Sequence, residues 1–141
     1  MTNRQIQLVK ESWNYVAPIS DVAADLFYNR LFEVAPGVRP LFKGDIRQQG
    51  HKLMGMLSMI VSKLDSLETL LDEIKKLAQR HNKYGAHPAH YQVVGECLIW
   101  TLTKGLGEKW NKELEESWIA AYSILSGAMI TNQKLETEVV L

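Results

Sequence analysis

Three polar residues interrupt apolar stripes in this chain, and chemistry is most expected at such positions. Tyr28 lies in an aromatic run, Gln49 occupies the inner face of a long amphipathic segment, and His81 follows Leu77 by one helical turn. An imidazole can ligate a metal, while a phenol and an amide are neutral hydrogen-bond donors. Each also has a structural interpretation: a lone core histidine is more often hydrogen-bonded than a ligand, and a core tyrosine commonly directs its hydroxyl to a carbonyl.

Other arrangements of reactive residues favour structural roles. His87 and His90 have a spacing that could hold a metal, but no carboxylate or cysteine completes a set, which favours surface positions near a helix start. Cys97 is the only cysteine, so the chain forms no internal disulfide and no cysteine-rich zinc cluster. No Cys-x-x-Cys-His run is present, and phosphate loops, metalloprotease helices and nucleophile elbows are missing from the sequence.

Charge and composition exclude several classes of protein. The 141 residues include 16 basic and 16 acidic side chains, and no basic stripe stands out, which argues against nucleic-acid binding. No apolar stretch approaches the roughly 18 residues of a membrane span. The N-terminus lacks a basic start followed by an apolar run. We therefore expect a single cytoplasmic domain over residues 1–141.

Apolar residues recur with helical period almost throughout, which predicts an all-α fold of about six to eight helices. Predicted N-caps open four of the helices: Thr2 with Gln5, Asp45 with Gln48, Asp65 with Glu68, and Asn111. Helix ends are predicted at the breakers Pro18, Pro36, Gly37, Pro40, Gly85, Gly105 and Gly107. Pro88 is predicted as a first helical residue. The tail after Gln133 is expected to fray.

Several motifs at matching relative spacing resemble those of the globin family. Residues 26–32, followed by Pro36 and the Pro-Leu-Phe run at 40–42, resemble the second and third globin helices. Residues 77–81 resemble the helix that carries the proximal histidine. Residues 90–98 are similar to the next helix in bacterial single-domain globins, flavohaemoglobin globin domains and neuroglobins, and Trp118 and Tyr122 fit the last helix. The resemblance runs from residue 4 to residue 132, nearly the whole chain.

This resemblance implies a pocket for non-covalently bound haem b, with His81 as the proximal iron ligand. Tyr28, Gln49 and Leu53 would form the distal gas pocket. The further cofactor contacts that the resemblance implies are Phe42, Lys52, Met56, Leu77, Tyr84, Tyr91, Val94 and Leu125. Because an amide is a poor iron ligand, we expect weak or absent internal six-coordination, with His51 on the surface.

The implied function is reversible binding of oxygen, carbon monoxide and nitric oxide. An alternative is nitric oxide dioxygenase activity, which would require a separate reductase. A haem-free helical sensor or interaction domain is a third possibility, against which His81 argues. Tyr91 matches a tyrosine that supports the proximal histidine in flavohaemoglobins, but Gln133 stands at the partner glutamate position and Glu136 is three residues out of register. Peroxidase-like chemistry is therefore less favoured.

Overall fold

The computed structural model describes the backbone of residues 1–42, 44–83 and 90–140, and their side chains except at 67–68, 81–83 and 132–140. These ranges contain six α-helices and three short 3-10 helices, without a strand, which confirms the all-α prediction. The α-helices are α1 (Asn3–Val16), α2 (Ser20–Val34), α3 (Ile46–Ser62), α4 (Leu67–Lys83), α5 (His90–Leu106) and α6 (Lys112–Val140). The 3-10 helices are Ala17–Ile19, Pro36–Leu41 and Gly107–Lys109.

Three of the predicted helix starts are confirmed by their hydrogen bonds. The Thr2 hydroxyl accepts from the Gln5 amide at 3.1 Å, and the Gln5 side chain accepts from the Thr2 amide at 2.9 Å, which completes a capping box. Asp45 accepts from the amide two residues on at 3.0 Å, and Asn111 accepts from the amide three residues on at 2.8 Å. Each such cap contributes about 1 kcal/mol to the stability of its helix.

One local prediction is corrected. α4 begins at Leu67, two residues after Asp65, and the Asp65 carboxylate instead pairs with the Lys10 ammonium at 2.9 Å. The hydrogen bond from Lys10 lowers the pKa of Asp65. Ser66, not Asp65, is the residue that directly precedes α4, and its carbonyl accepts from the Leu70 amide at 3.1 Å. The backbone of α6 runs to Val140, and the expected fraying of the tail after Gln133 stays a prediction. The predicted helix end at Gly85 and the predicted helix start at Pro88 lie outside the described residues.

The interior consists of two groups of buried side chains. The larger group joins α1, α2, α3, α5 and α6 around residues such as Trp13, Leu31 and Trp118. The smaller group joins the apolar face of α4 to α6, through residues such as Ile74 and Met129. α4 packs chiefly on α6, and α2 packs on both α3 and α5, so the two groups meet between α3, α4, α5 and α6. Within the described ranges, no helix is both long and apolar enough to cross a bilayer.

Candidate functional site

A cavity opens where the two core groups meet, and its wall is mostly apolar. Six of its lining residues are ones that the sequence analysis assigns to the cofactor or the gas: Leu53, Met56, Leu77, Tyr91, Val94 and Leu125. The remaining lining residues are Phe27, Leu57, Leu98, Tyr122, Ser126 and Met129. Four different helices supply the six predicted residues, so folding brings together positions that are far apart in the chain. Such a wall suits an apolar group.

Tyr28 lies on α2 in an aromatic environment and is almost fully buried, with 4% of its surface exposed. Its hydroxyl points toward the backbone carbonyl of Gln49 at 3.5 Å, longer than the 2.5–3.0 Å range usual for this type of hydrogen bond. Burial raises the pKa of Tyr28 to about 12, and the Gln49 side chain lowers it in part. Tyr28 is therefore a neutral donor whose present acceptor holds it only weakly.

The α2–α3 crossing places Gln49 beside Tyr28. A Cβ atom at Gly50 would lie 2.9 Å from the Cβ of Ala24, so a glycine is needed for the two helices to approach this closely. Gln49 and Leu53 are half-buried and follow each other by one turn of α3. Of these two residues, only Leu53 reaches the cavity wall.

His51 and Lys52 lie on the exposed side of α3. The imidazole of His51 contacts the Asp21 carboxylate, with 3.1 Å between Nε2 and Oδ1, which confirms the expected surface position of His51. Lys52 does not line the cavity. Phe42 is half-buried and contacts the Tyr28 ring with 5.4 Å between centroids, but it also does not line the cavity.

α4 carries the predicted metal ligand. The buried residues Leu70, Ile74 and Leu77 form its inner stripe, and Leu77 lines the cavity. The backbone of His81 belongs to α4 one turn after Leu77. The side chain of His81 and the whole of Tyr84 lie outside the described residues, so their predicted roles stay predictions.

Sequence reasoning did not assign Tyr122 to the site, although this residue shapes the cavity wall. Its hydroxyl donates to the backbone carbonyl of Tyr91 at 2.6 Å. A Cβ atom at Gly95 would lie only 2.5 Å from Cε2 of Tyr122, so the ring rests directly on the α5 backbone. Burial raises the pKa of Tyr122 well above its usual value. A glycine inside the apolar α5 pattern was the available signal for this close approach.

Comparison with known proteins gives concordant matches. The Globin family model matches residues 25–129. An anaerobic nitrite reductase of Arabidopsis thaliana is 30% identical, over 96% of this chain and 95% of that protein. A flavohemoprotein of Vibrio cholerae is 24% identical over 94% of this chain, which spans only 34% of that relative's length. An engineered carbene transferase, described as a candidate nitric oxide dioxygenase of Rhodothermus marinus, superposes with a TM-score of 0.90 at 26% identity, covering 99% of this chain and 98% of that one.

Proposed function

Because this chain belongs to the globin family, we propose that it holds haem b without a covalent link and binds oxygen reversibly. When bound, the haem supplies a ferrous iron with one coordination position open to a diatomic gas. The observation that carries this proposal is the assembly of six implied haem-pocket residues, from four helices, around one apolar cavity. Globin relatives bind the same class of gas, so carbon monoxide and nitric oxide are further proposed ligands.

The lining residues would hold the cofactor mainly through burial of its apolar faces. Leu53 and Met56 from α3 form one side of the cavity, while Leu77, Val94 and Leu125 form the others. Apolar surface removed from water contributes about 25 cal/mol per Å². His81 would supply a neutral imidazole to the iron. Phe42 and Tyr84 would pack at the edge of the cofactor, and the exposed Lys52 would pair with a propionate.

Tyr28 and Gln49 would supply hydrogen bonds to the gas. An oxygen ligand that gains partial negative charge accepts such bonds more strongly than carbon monoxide does. The Tyr28 hydroxyl has only a 3.5 Å contact to a carbonyl, so it gives up little when it turns to a better acceptor. A hydrogen bond to a charged group contributes roughly 1.5–3 kcal/mol, about tenfold to over a hundredfold in affinity. Slow release of oxygen is therefore expected.

The position of α3 also favours an open gas site. His51, the histidine nearest to Gln49, is exposed and pairs with Asp21. The close contact of Gly50 with Ala24 resists rotation of α3 that would carry His51 inward. Gln49 bears an amide, which is a poor ligand for iron. We therefore propose a five-coordinate ferrous form.

Nitric oxide dioxygenase activity is the second candidate, favoured by the structural match to a candidate enzyme of that kind. The reaction combines nitric oxide, oxygen and one electron to give nitrate, and the electron would come from a separate reductase. Consumption of nitric oxide over many cycles in the presence of a reductase would support the enzyme. Consumption of one equivalent would support the gas binder.

The experiment that tests the main proposal is visible absorption spectroscopy of the ferric, dithionite-reduced and oxygenated protein. We expect a Soret band, a five-coordinate ferrous spectrum and a stable oxygenated form. His81→Ala should lose or alter all three, while His51→Ala, a matched control at an exposed histidine, should leave them unchanged. Absence of a Soret band after addition of haem would contradict the proposal, and a six-coordinate ferrous spectrum would contradict the open gas site.

A further inference from the structure

Tyr28, Phe32 and Phe42 form a closed triangle of aromatic rings. The Tyr28 and Phe32 rings stack at 5.9 Å between centroids, and Phe42 meets each of them edge-on at 5.4 Å. Tyr28 and Phe32 belong to α2, whereas Phe42 follows the 3-10 helix Pro36–Leu41. Edge-on and offset ring pairs contribute beyond their buried area, so the triangle fixes the Tyr28 ring against the turn that carries Phe42.

Arg39 contacts two of the three residues in this triangle, Phe32 and Phe42. Its guanidinium lies 5.1 Å from the centroid of the Phe32 ring. Its Nη1 donates to the Phe42 carbonyl at 3.0 Å, and its own carbonyl accepts from the Phe42 amide at 3.1 Å. Both backbone polar groups of Phe42 are thus bonded to Arg39. Among the described side chains, Arg39 forms no ion pair, so its charge is directed at the ring and the carbonyl.

The orientation of Tyr28 depends on these ring contacts. A hydrogen bond of 3.5 Å is too long to hold the hydroxyl in one place. The Phe32 and Phe42 rings hold the Tyr28 ring, to which the hydroxyl is attached, and Arg39 is the polar residue that contacts both Phe32 and Phe42. We propose that Arg39 is a positioning residue for the Tyr28 hydroxyl, acting through Phe32 and Phe42. This inference rests on the proposed role of Tyr28 as a donor to the gas.

The chemistry of arginine suits this role. A planar guanidinium can lie over a ring and donate in its own plane at the same time. The lysine ammonium can make one of these contacts, and methionine can only pack. We expect oxygen dissociation to be about threefold faster in Arg39→Met, since an exposed contact of this kind corresponds to roughly two- to fivefold. Arg39→Lys should lie between Arg39→Met and the wild type.

The test is the oxygen dissociation rate of the haem-loaded protein, measured by stopped flow for the wild type, Arg39→Met, Tyr28→Phe and the double variant. If Arg39 acts through Tyr28, Arg39→Met should accelerate dissociation in the wild type and have no further effect in Tyr28→Phe. Arg30→Met is the matched control, because Arg30 lies at the same 5.1 Å over Trp100 and is not part of the triangle. It should leave the rate unchanged.

A second readout does not depend on gas release. In the carbon monoxide form, titration of ¹³C-labelled tyrosine by NMR reports the pKa of Tyr28, which burial raises to about 12. That pKa should fall in Arg39→Met, because a loosened triangle admits water to the hydroxyl. An unchanged rate and pKa in Arg39→Met, beside an accelerated Tyr28→Phe, would overturn this inference alone. Acceleration of equal size in both backgrounds would also overturn it. An unchanged rate in Tyr28→Phe would instead remove the donor role of Tyr28, and this inference with it.

Discussion

The buried Tyr28 and the partly buried Tyr122 use their hydroxyls differently. On the α5–α6 side, Tyr122 donates to the Tyr91 carbonyl at 2.6 Å, a short bond that ties two helices together. On the α2–α3 side, Tyr28 reaches the Gln49 carbonyl at only 3.5 Å. Burial raises the pKa of both, so both are neutral near pH 7. One hydroxyl therefore has a short bond to its acceptor, and the other has only a long contact.

The two sides share one structural device, a glycine at a helix crossing. Gly95 accepts the ring of Tyr122, and Gly50 accepts the Cβ of Ala24. In the first case the close approach fixes the tyrosine itself. In the second it fixes the helix that carries Gln49, and aromatic rings rather than a strong hydrogen bond hold Tyr28. The difference shows that burial alone does not make a hydroxyl part of a strong structural hydrogen bond. The distance to its acceptor, 2.6 Å for Tyr122 and 3.5 Å for Tyr28, makes the difference.

The largest expected effect on stability appears at alkaline pH. Unfolded Tyr28 loses its proton near pH 10, whereas the folded residue has a pKa of about 12, so the unfolded state binds fewer protons between these values. Stability should therefore be intact below pH 10 and fall as the pH rises to 12, by up to about 1.4 kcal/mol per pH unit for this group. Between pH 10 and pH 12, the free energy of unfolding of Tyr28→Phe should fall by about 2–3 kcal/mol less than that of the wild type.

Urea unfolding measures this difference. The haem concentration is kept fixed, because a group that binds only the folded state adds to the apparent stability. Tyr91, with a pKa of about 12, and Tyr122 contribute in the same direction and are present in both proteins. Identical alkaline profiles for the wild type and Tyr28→Phe would show that Tyr28 is not buried as described.

Gly95→Ala should destabilise the α5–α6 side by about 1–3 kcal/mol, since the added methyl would displace a ring that its hydrogen bond holds in place. Gly55→Ala is the control, because Gly55 is an exposed α3 residue with open space around its Cβ position. That change should stabilise the protein by about 0.5–1 kcal/mol. Thermal unfolding compares the two variants, and equal midpoints would argue against the close approach at Gly95.

Tyr122→Phe should lower the free energy of unfolding by about 1 kcal/mol, because it removes a short, partly buried hydrogen bond. Tyr28→Phe should lower it at neutral pH by about 0.5 kcal/mol or less, since the lost bond is long. Urea titrations at pH 7 give both values. A larger loss in Tyr28→Phe than in Tyr122→Phe would reverse the comparison between the two sides.

Local signals in the sequence predicted most of the helices, because caps and apolar stripes depend on residues three or four positions apart. Thr2, Asp45 and Asn111 cap helices as predicted. Asp65 does not, because α4 begins after Ser66. Asp65 instead bonds Lys10, which lies 55 residues away in the chain, and no local pattern reveals that contact.

In the candidate site, too, some residues could be predicted from the sequence and some contacts could not. The family resemblance supplied six of the twelve residues that line the cavity, among them Leu53 and Leu77. It did not supply Arg39 or the bond from Tyr122 to the Tyr91 carbonyl, because each depends on a backbone carbonyl whose position is set only by folding. Backbone acceptors carry no residue type and so leave no trace in a sequence.

The most direct test of the contrast between the two tyrosines is the oxygen dissociation rate of Tyr28→Phe measured beside that of Tyr122→Phe. We expect at least about tenfold faster dissociation in Tyr28→Phe, because the gas loses a donor, and a change of about twofold or less in Tyr122→Phe. An unchanged rate in Tyr28→Phe, or an equal acceleration in both variants, would contradict the assignment of the Tyr28 hydroxyl to the gas.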